Sequence, residues 1–326
     1  MFRYAKTGGS VRTLAVIVQC WCEPPGVTRS EIHIYFLHAE AACPLEDHLM
    51  ASTFQRAYPP ATPPAGPAFW FPFREQELII QESEQGIALI YSDEEGIAMI
   101  QPHSALYVGT IDGNACIACE VMAEQPLPKE WRALGLRTLF GQLDDTAYSV
   151  AGYASQILRW QRHSRYCPAC GGLNSPLAEN WGRHCPTCGH MGYPPVIPAV
   201  LVLIHNGEHV LLAHQAGWGK RYSILAGFVE PGESLEDCVH REVAEEVGIE
   251  IADVTYCGSQ PWPYPSQLMV GFQARYVAGE LHPDHEELDD AAWFHVDALP
   301  ELPAPLSLSH QLIMAWARSL RPAKKS

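Results

Sequence analysis

The stretch "GFVEPGESLEDCVHREVAEEVGI", residues 227 to 249, constrains this chain more than any other. It holds seven carboxylates and one arginine, and four of its residues are glycine or proline. Ser234 suits a helix N-cap, with Asp237 three residues on as the partner in a capping box. Leu235, Val239, Val243 and Val247 recur every fourth residue as a packing stripe, and Gly248 supplies the stop. The pattern predicts a helix over 235–247. Glu242, Glu245 and Glu246 fall at i, i+3 and i+4, on a face roughly opposite the stripe. Like charges so placed repel by on the order of 0.3 kcal/mol per pair. A divalent cation would offset that repulsion; a plain solvated acidic face is the competing reading. The Gly/Pro-rich loop from Gly227 to Gly232 can bring backbone close to a ligand.

A second constraint is a pair of knuckles, Cys167-Pro-Ala-Cys170-Gly and Cys185-Pro-Thr-Cys188-Gly. Each puts two thiolates on a tight turn, and four thiolates make a closed tetrahedral zinc site. Such a site leaves no position for a reacting water, so its expected role is structural. A disulfide pair or a redox motif is the alternative. Cys116 and Cys119 differ: in a strand, residues three apart face opposite ways, so they read as buried free thiols.

With 326 residues, two or three domains are expected. A formal net charge of −16 argues against a broad electrostatic grip on nucleic acid or anionic membrane. The early apolar run 14–22 is too short to span a bilayer, and no good signal-peptide cleavage site follows the basic start. These features suggest a cytoplasmic protein with no membrane partner. Eleven cysteines, several of them in Cys-x-x-Cys pairs, favour metal binding over a disulfide framework.

Four segments emerge along the chain. Residues 1–67 read as a poorly defined extension, and Met50 is an alternative start. Residues 68–150 read as a small β-rich domain of short strands and turns. A helix over 146–166 and the cysteine knuckles make a linking segment, 151–193. Residues 194–326 alternate strands and helices, with an Asn206-Gly207 hairpin turn and a closing helix from about 307. The class is α+β or α/β.

The spacing from Gly227 through Glu233 to "REVAEEVGI" resembles the Nudix box at every defining position. The resemblance implies hydrolysis of a nucleoside diphosphate linked to another moiety, and a mixed sheet sandwiched between helices. On this reading Glu242 and Glu246 hold magnesium or manganese, and Glu245 or a more distant carboxylate takes a proton from water. Arg241 pairs with Glu233 and braces loop against helix.

The stretch "SQPWPYPSQLM", 259–269, reads as a stiff, exposed aromatic ledge or as a rigid connector. Beside the box it resembles the signature of the NADH pyrophosphatase branch, with two departures. Tyr264 stands where Phe is usual, and Gln267 stands where Ser is usual. The zinc ribbon ahead of the box belongs to the same branch. The resemblance implies a ledge of Gln260, Pro261, Trp262, Pro263, Tyr264, Pro265, Ser266 and Gln267. It further implies metal ligation by Glu287 and the Ala226 carbonyl, and substrate contacts from Ser309, where Ala is common, and Arg137. Trp262, Phe228 and Tyr193 are aromatics suited to stacking on a flat ring, with a core role open for the last two. The histidines flanking the acidic loop, His282, His285 and His295, are given no role.

The expected activity is divalent-metal-dependent cleavage of NAD(H) to nicotinamide mononucleotide and AMP, by a homodimer, extending to NAD caps on RNA 5′ ends. One rival is a broader hydrolase of ADP-ribose or diadenosine polyphosphates. Another is a nucleic-acid-binding zinc ribbon carrying an inert Nudix domain.

Overall fold

The computed structural model describes residues 53–321. The expected extension up to residue 52, with the alternative start at Met50, lies outside the described residues, which all fall within one compact unit.

The N-terminal domain opens with β1 (Phe54–Arg56), β2 (Ala68–Arg74), β3 (Glu77–Ser83), β4 (Gly86–Ala88) and β5 (Ile90–Ser92). It continues with α1 (Glu94–Ile97), β6 (His103–Ile111), β7 (Asn114–Glu120), β8 (Trp131–Gly135), α2 (Leu136–Leu139) and α3 (Asp145–His163). The eight strands form one sheet in the order β1-β6-β7-β2-β3-β4, with β5 on β2 and β8 on β3. Strands β2 and β7 run parallel and give the sheet a mixed centre.

Two differences from the sequence reading follow. Phe54–Arg56, assigned to the extension, pairs with Gly109–Ile111 and belongs to this sheet. The helix assigned to the linker instead covers one face of the sheet. Its Ala147, Val150, Ala151, Ala154, Ile157 and Leu158 pack on Phe71, Phe73, Leu78 and Ile80. Ile97 and Ile100 cover the other face. The domain is therefore a helix–sheet–helix layer rather than a β domain, because both faces of β2, β3 and β7 are apolar and each must be buried. Cys116 and Cys119 lie in β7, buried on opposite faces as the strand period requires. Burial pushes both thiols up to about 12, which keeps them unreactive.

A ribbon of three short strands follows: β9 (Ser175–Pro176), β10 (Arg183–His184) and β11 (Met191–Gly192). Trp181 ties it to α3, donating its indole N–H to the Tyr153 hydroxyl at 2.7 Å.

The last domain comprises β12 (Ile197–Asn206), β13 (His209–His214), β14 (Leu225–Phe228), α4 (Leu235–Val247), β15 (Glu250–Trp262), β16 (Gln267–Ala278), β17 (Asp290–His295) and α5 (Leu308–Ser319). The sheet order is β15-β16-β12-β13-β17, with β14 on β12, and only β12 and β16 are parallel. Val200, Val202 and Ile204 of β12 face Val239, Val243 and Val247 of α4. Gly271 lies between Val270 and Phe272, which pack on that side. Gly271 itself faces Leu308 and Leu312 of α5. Alternation thus puts the two helices on opposite faces, the sandwich the resemblance implied.

Among the described residues no helix is long and apolar enough to cross a membrane.

Candidate active site

Helix α4 forms as its sequence dictates. Ser234 Oγ accepts the Asp237 N–H at 3.1 Å, and the Asp237 carboxylate accepts the Ser234 N–H in return. Gly248 ends the helix at φ 70°, a conformation glycine adopts without strain. The valine stripe is fully buried, and this fixes which face carries the carboxylates.

Arg241 stands at the centre of that face. It donates Nε and Nη2 to Glu233 at 3.0 and 2.6 Å, and Nη2 to the Phe228 carbonyl at 2.9 Å. Its Nη1 reaches Glu242 at 2.8 Å and Glu245 at 3.0 Å. The brace to Glu233 is as expected, and Arg241 holds that carboxyl down at about 2. The contacts to Glu242 and Glu245 go further: one guanidinium offsets three carboxylates and fixes their orientation.

Glu246 has no share in this arrangement. It is only 3% exposed, and its Oε2 has no hydrogen-bond partner. Burial, then Glu242, Glu287, Asp284 and Glu245, push its carboxyl up to about 8. Burial likewise raises Glu242. An orphaned carboxylate oxygen ringed by four acids is costly in isolation, and it is the chemistry that a hard cation satisfies. The residues present therefore fit a magnesium or manganese ion, although Glu242, Glu246 and Glu287 do not all close to within 4.8 Å of one another.

Gly227 makes the room. It pairs with Val200 on the central strand, and a Cβ added there would lie 1.8 Å from the Glu242 Cδ. Gly227→Ala is expected to displace Glu242 and lower kcat by at least about tenfold with the fold retained. Steady-state rates beside a circular-dichroism melt check this; an unchanged rate would show that Glu242 does not need its present place.

Sequence reading missed Asp284. Its N–H donates to the Glu246 carbonyl at 3.1 Å, and the His282 N–H donates to the Val247 carbonyl at 3.0 Å. Both satisfy free carbonyls of the last helical turn. Asp284 Oδ1 then accepts the N–H groups of Glu286, Glu287 and Leu288 at 3.2, 3.2 and 3.1 Å. This single oxygen shapes the loop that presents Glu287, a pattern legible as an Asx turn in "DHEEL". Asp284→Ala is expected to weaken activating-metal affinity about tenfold, read as a shift in the metal dependence of turnover; an unshifted curve would remove Asp284 from the site.

The ledge is less exposed than expected. Gln260, Pro261 and Trp262 are the last residues of β15, paired with Met269, Leu268 and Gln267. Pro261 is tolerated there because β15 is an edge strand. Pro263 and Ser266 are buried, and Trp262 and Tyr264 are half-buried. The cover comes from the N-terminal domain. Arg137 lies over Tyr264, 4.4 Å from the ring centre, and 6.0 Å from that of Trp262. Phe140 meets Trp262 edge-on at 6.0 Å. The Gln260 amide is committed to the backbone at Leu306 and Leu308, at 3.0 and 2.9 Å. Ser309 sits buried in the following helical turn.

Register places ledge and box together. On β12, Ile197 pairs with Gln267, while Ala199 pairs with Phe228, about 7 Å further along the strand. Ala226, exposed on β14, follows opposite Leu201. Phe228 is half-exposed at this end. Tyr193 lines a cleft of about 250 Å³ between ribbon and α3, together with Trp160, His163 and Arg183. A second cleft, of about 530 Å³, runs beside the ledge between Arg137, Arg159, Arg162 and Pro263–Pro265.

The cysteine knuckles form one turn twice. In each, the first cysteine's N–H donates to the carbonyl five residues on, and a glycine at φ 74° or 78° returns an N–H to its carbonyl. The sulfurs of Cys167, Cys170, Cys185 and Cys188 all lie within 4.8 Å of one another, with pairs at 3.6 and 3.5 Å. A zinc ion bound by 2.3 Å bonds calls for sulfurs about 3.8 Å apart, so the four fit zinc.

Similarity to known proteins agrees with this geometry. The NUDIX domain family matches residues 195–317, the NADH pyrophosphatase zinc ribbon domain 162–193, and the NADH pyrophosphatase-like rudimentary NUDIX domain 67–160. The chain belongs to the Nudix hydrolase family, in its NADH pyrophosphatase branch. Among its relatives, the protein named NAD-capped RNA hydrolase NudC of Pseudomonas fluorescens is 43% identical over 208 residues, 63% of this chain and 75% of that protein. The protein of that name in Pseudomonas aeruginosa strain LESB58 is 45% identical over 209 residues, 63% and 74% of the two chains. A solved NUDIX hydrolase from Nitrosomonas europaea is 22% identical, with a TM-score of 0.41 over 48% of this chain and 91% of its own.

Proposed function

We propose that the chain hydrolyses the pyrophosphate of NAD(H) to nicotinamide mononucleotide and AMP, and cleaves the same pyrophosphate in NAD caps, releasing nicotinamide mononucleotide and leaving a 5′-monophosphate RNA. The observation that carries the reading is the unpartnered buried Glu246 carboxylate, facing the charges of Glu242 and Glu287 beside the box loop at Gly227.

Glu242, Glu246, Glu287 and the Ala226 carbonyl would hold magnesium or manganese. When bound, the cation neutralises the pyrophosphate and acidifies a water. Glu245, exposed at the edge of the site, accepts the proton that water releases. Arg241 holds the Glu245 carboxylate in place with a hydrogen bond, and Gly227 lets the Glu242 carboxylate lie flat against the loop backbone. Trp262 and Phe228 each offer a flat ring suited to stacking on the base or the nicotinamide. The ribbon takes no part in the chemistry.

The RNA reading draws on the relatives' names and on the cleft beside the ledge, where Arg137, Arg159 and Arg162 outnumber the lining Glu75 and Glu77 and offer phosphates a donor. The chain acts as a homodimer in the cytoplasm. Tyr166, Leu173, Met191, Tyr193, Val196 and Ile197 are exposed apolar residues within one 32-residue stretch, and such concentration favours an interface.

Relative kcat/KM for NADH, NAD-capped RNA, ADP-ribose and diadenosine polyphosphate tests the substrate. NADH or capped RNA should lead. A lead for ADP-ribose would mean that Gln267 and Ser309 have redirected the site.

A further inference from the structure

Tyr264 carries a hydroxyl where the branch signature has phenylalanine, and that hydroxyl has a partner. It meets the hydroxyl of Tyr148, 116 residues earlier. Tyr148 is fixed on the first turn of α3, its N–H donating to the Asp144 carbonyl at 2.9 Å and Asp144 capping the helix. Its ring packs on Phe140 at 5.1 Å. Phe140 in turn meets Trp262, and Trp262 meets Tyr264 at 5.1 Å. The Arg137 guanidinium lies over both ledge rings. Pro263 presses on Gly152, where a Cβ would lie 3.0 Å from the proline ring. The hairpin tip is thus gripped from the N-terminal domain at Trp262, Pro263 and Tyr264. Space-filling alone would be met by phenylalanine at 148 and 264. Two half-buried phenols are costly unless they bond each other, and a bond fixes direction where packing fixes only volume.

We infer that Tyr148 is a positioning residue for substrate binding: its hydroxyl holds Tyr264, and through it Trp262, in the attitude that receives a flat ring. This rests on the ledge being the dinucleotide-binding surface.

Tyr148→Phe, Tyr264→Phe and the double variant separate positioning from packing. Each single variant strands one phenol, whereas the double removes both and leaves apolar rings of the same shape. Melting temperature should therefore fall in the singles and recover in the double. The KM for NADH should rise about fivefold in all three, the worth of one hydrogen bond, with kcat within about twofold. A double variant with wild-type KM, or a KM that follows melting temperature throughout, would overturn the inference and leave only packing. If the wild-type protein turns over no NADH, the reading of the ledge falls and the inference falls with it.

Discussion

Glu246→Gln is expected to lower turnover by about three orders of magnitude and to make the metal-free protein more stable. The first effect follows from removing an anionic ligand at the one carboxylate, among the described residues, that is buried with an unpartnered oxygen. A loss of that size is about 4 kcal/mol of transition-state stabilisation. The second effect follows from linkage. Burial and the acids around it raise the Glu246 carboxyl to about 8 in the folded protein, against an unfolded value near the usual carboxylate range. A group raised in this way stabilises the fold below its unfolded pKa, and that stability drains away as pH climbs through the folded value. Metal-free wild-type protein should therefore lose stability from about pH 4.5 to about pH 8, on the order of a few kcal/mol. Added magnesium or manganese should restore it. The glutamine variant should keep only the smaller loss that Glu242 contributes and should lose most of the rescue by metal. Melts across this pH range, with chelator and with metal, measure both. A variant that keeps the wild-type turnover and the metal-dependent shift would remove Glu246 from the ligand set.

Cys185→Ser is expected to empty the zinc site and unfold the ribbon. Cys185 is fully buried, and its sulfur lies 3.5 Å from that of Cys170. The N–H groups of Cys188 and Thr187 point at its sulfur and lower its thiol pKa, which favours the thiolate that a zinc ion takes. Zinc content should fall from about one per chain to below about a tenth. Proteolysis should then open the chain between 165 and 193. Trp181 buries itself among the side chains of α3, so melting of the N-terminal domain should also fall. The core beneath α4 draws no residue from the ribbon, and its hydrogen-exchange protection should persist. Full zinc occupancy in this variant would show a different ligand set.

The parts legible in the sequence are those whose signal is local. The α4 cap, stripe and stop occupy 15 consecutive residues and each follows from its own chemistry. The knuckles announce themselves by repeating one turn. The parts that escaped depend on pairing across long separations. Strands β14 and β15 carry no clean alternation, because β15 is a bulged edge strand and its exposed side lacks a fixed pattern. Phe54–Arg56 is a strand only because β6 lies beside it. Helix α3 was visible as a helix, but its apolar stripe cannot say which sheet it covers. The ledge was recognisable as rigid from its prolines, yet its half-burial arises from Arg137, Phe140 and Tyr148, more than 100 residues away. Asp284 lay in plain view, and its importance rests on a loop docking against the end of α4.

The measurement that tests the central claim most directly is chromatography of the products formed from NADH, with magnesium or manganese and with chelator. The account predicts reduced nicotinamide mononucleotide and AMP in equal amounts, formed only with the metal. Release of nicotinamide with ADP-ribose, or the same products at the same rate in chelator, would contradict it.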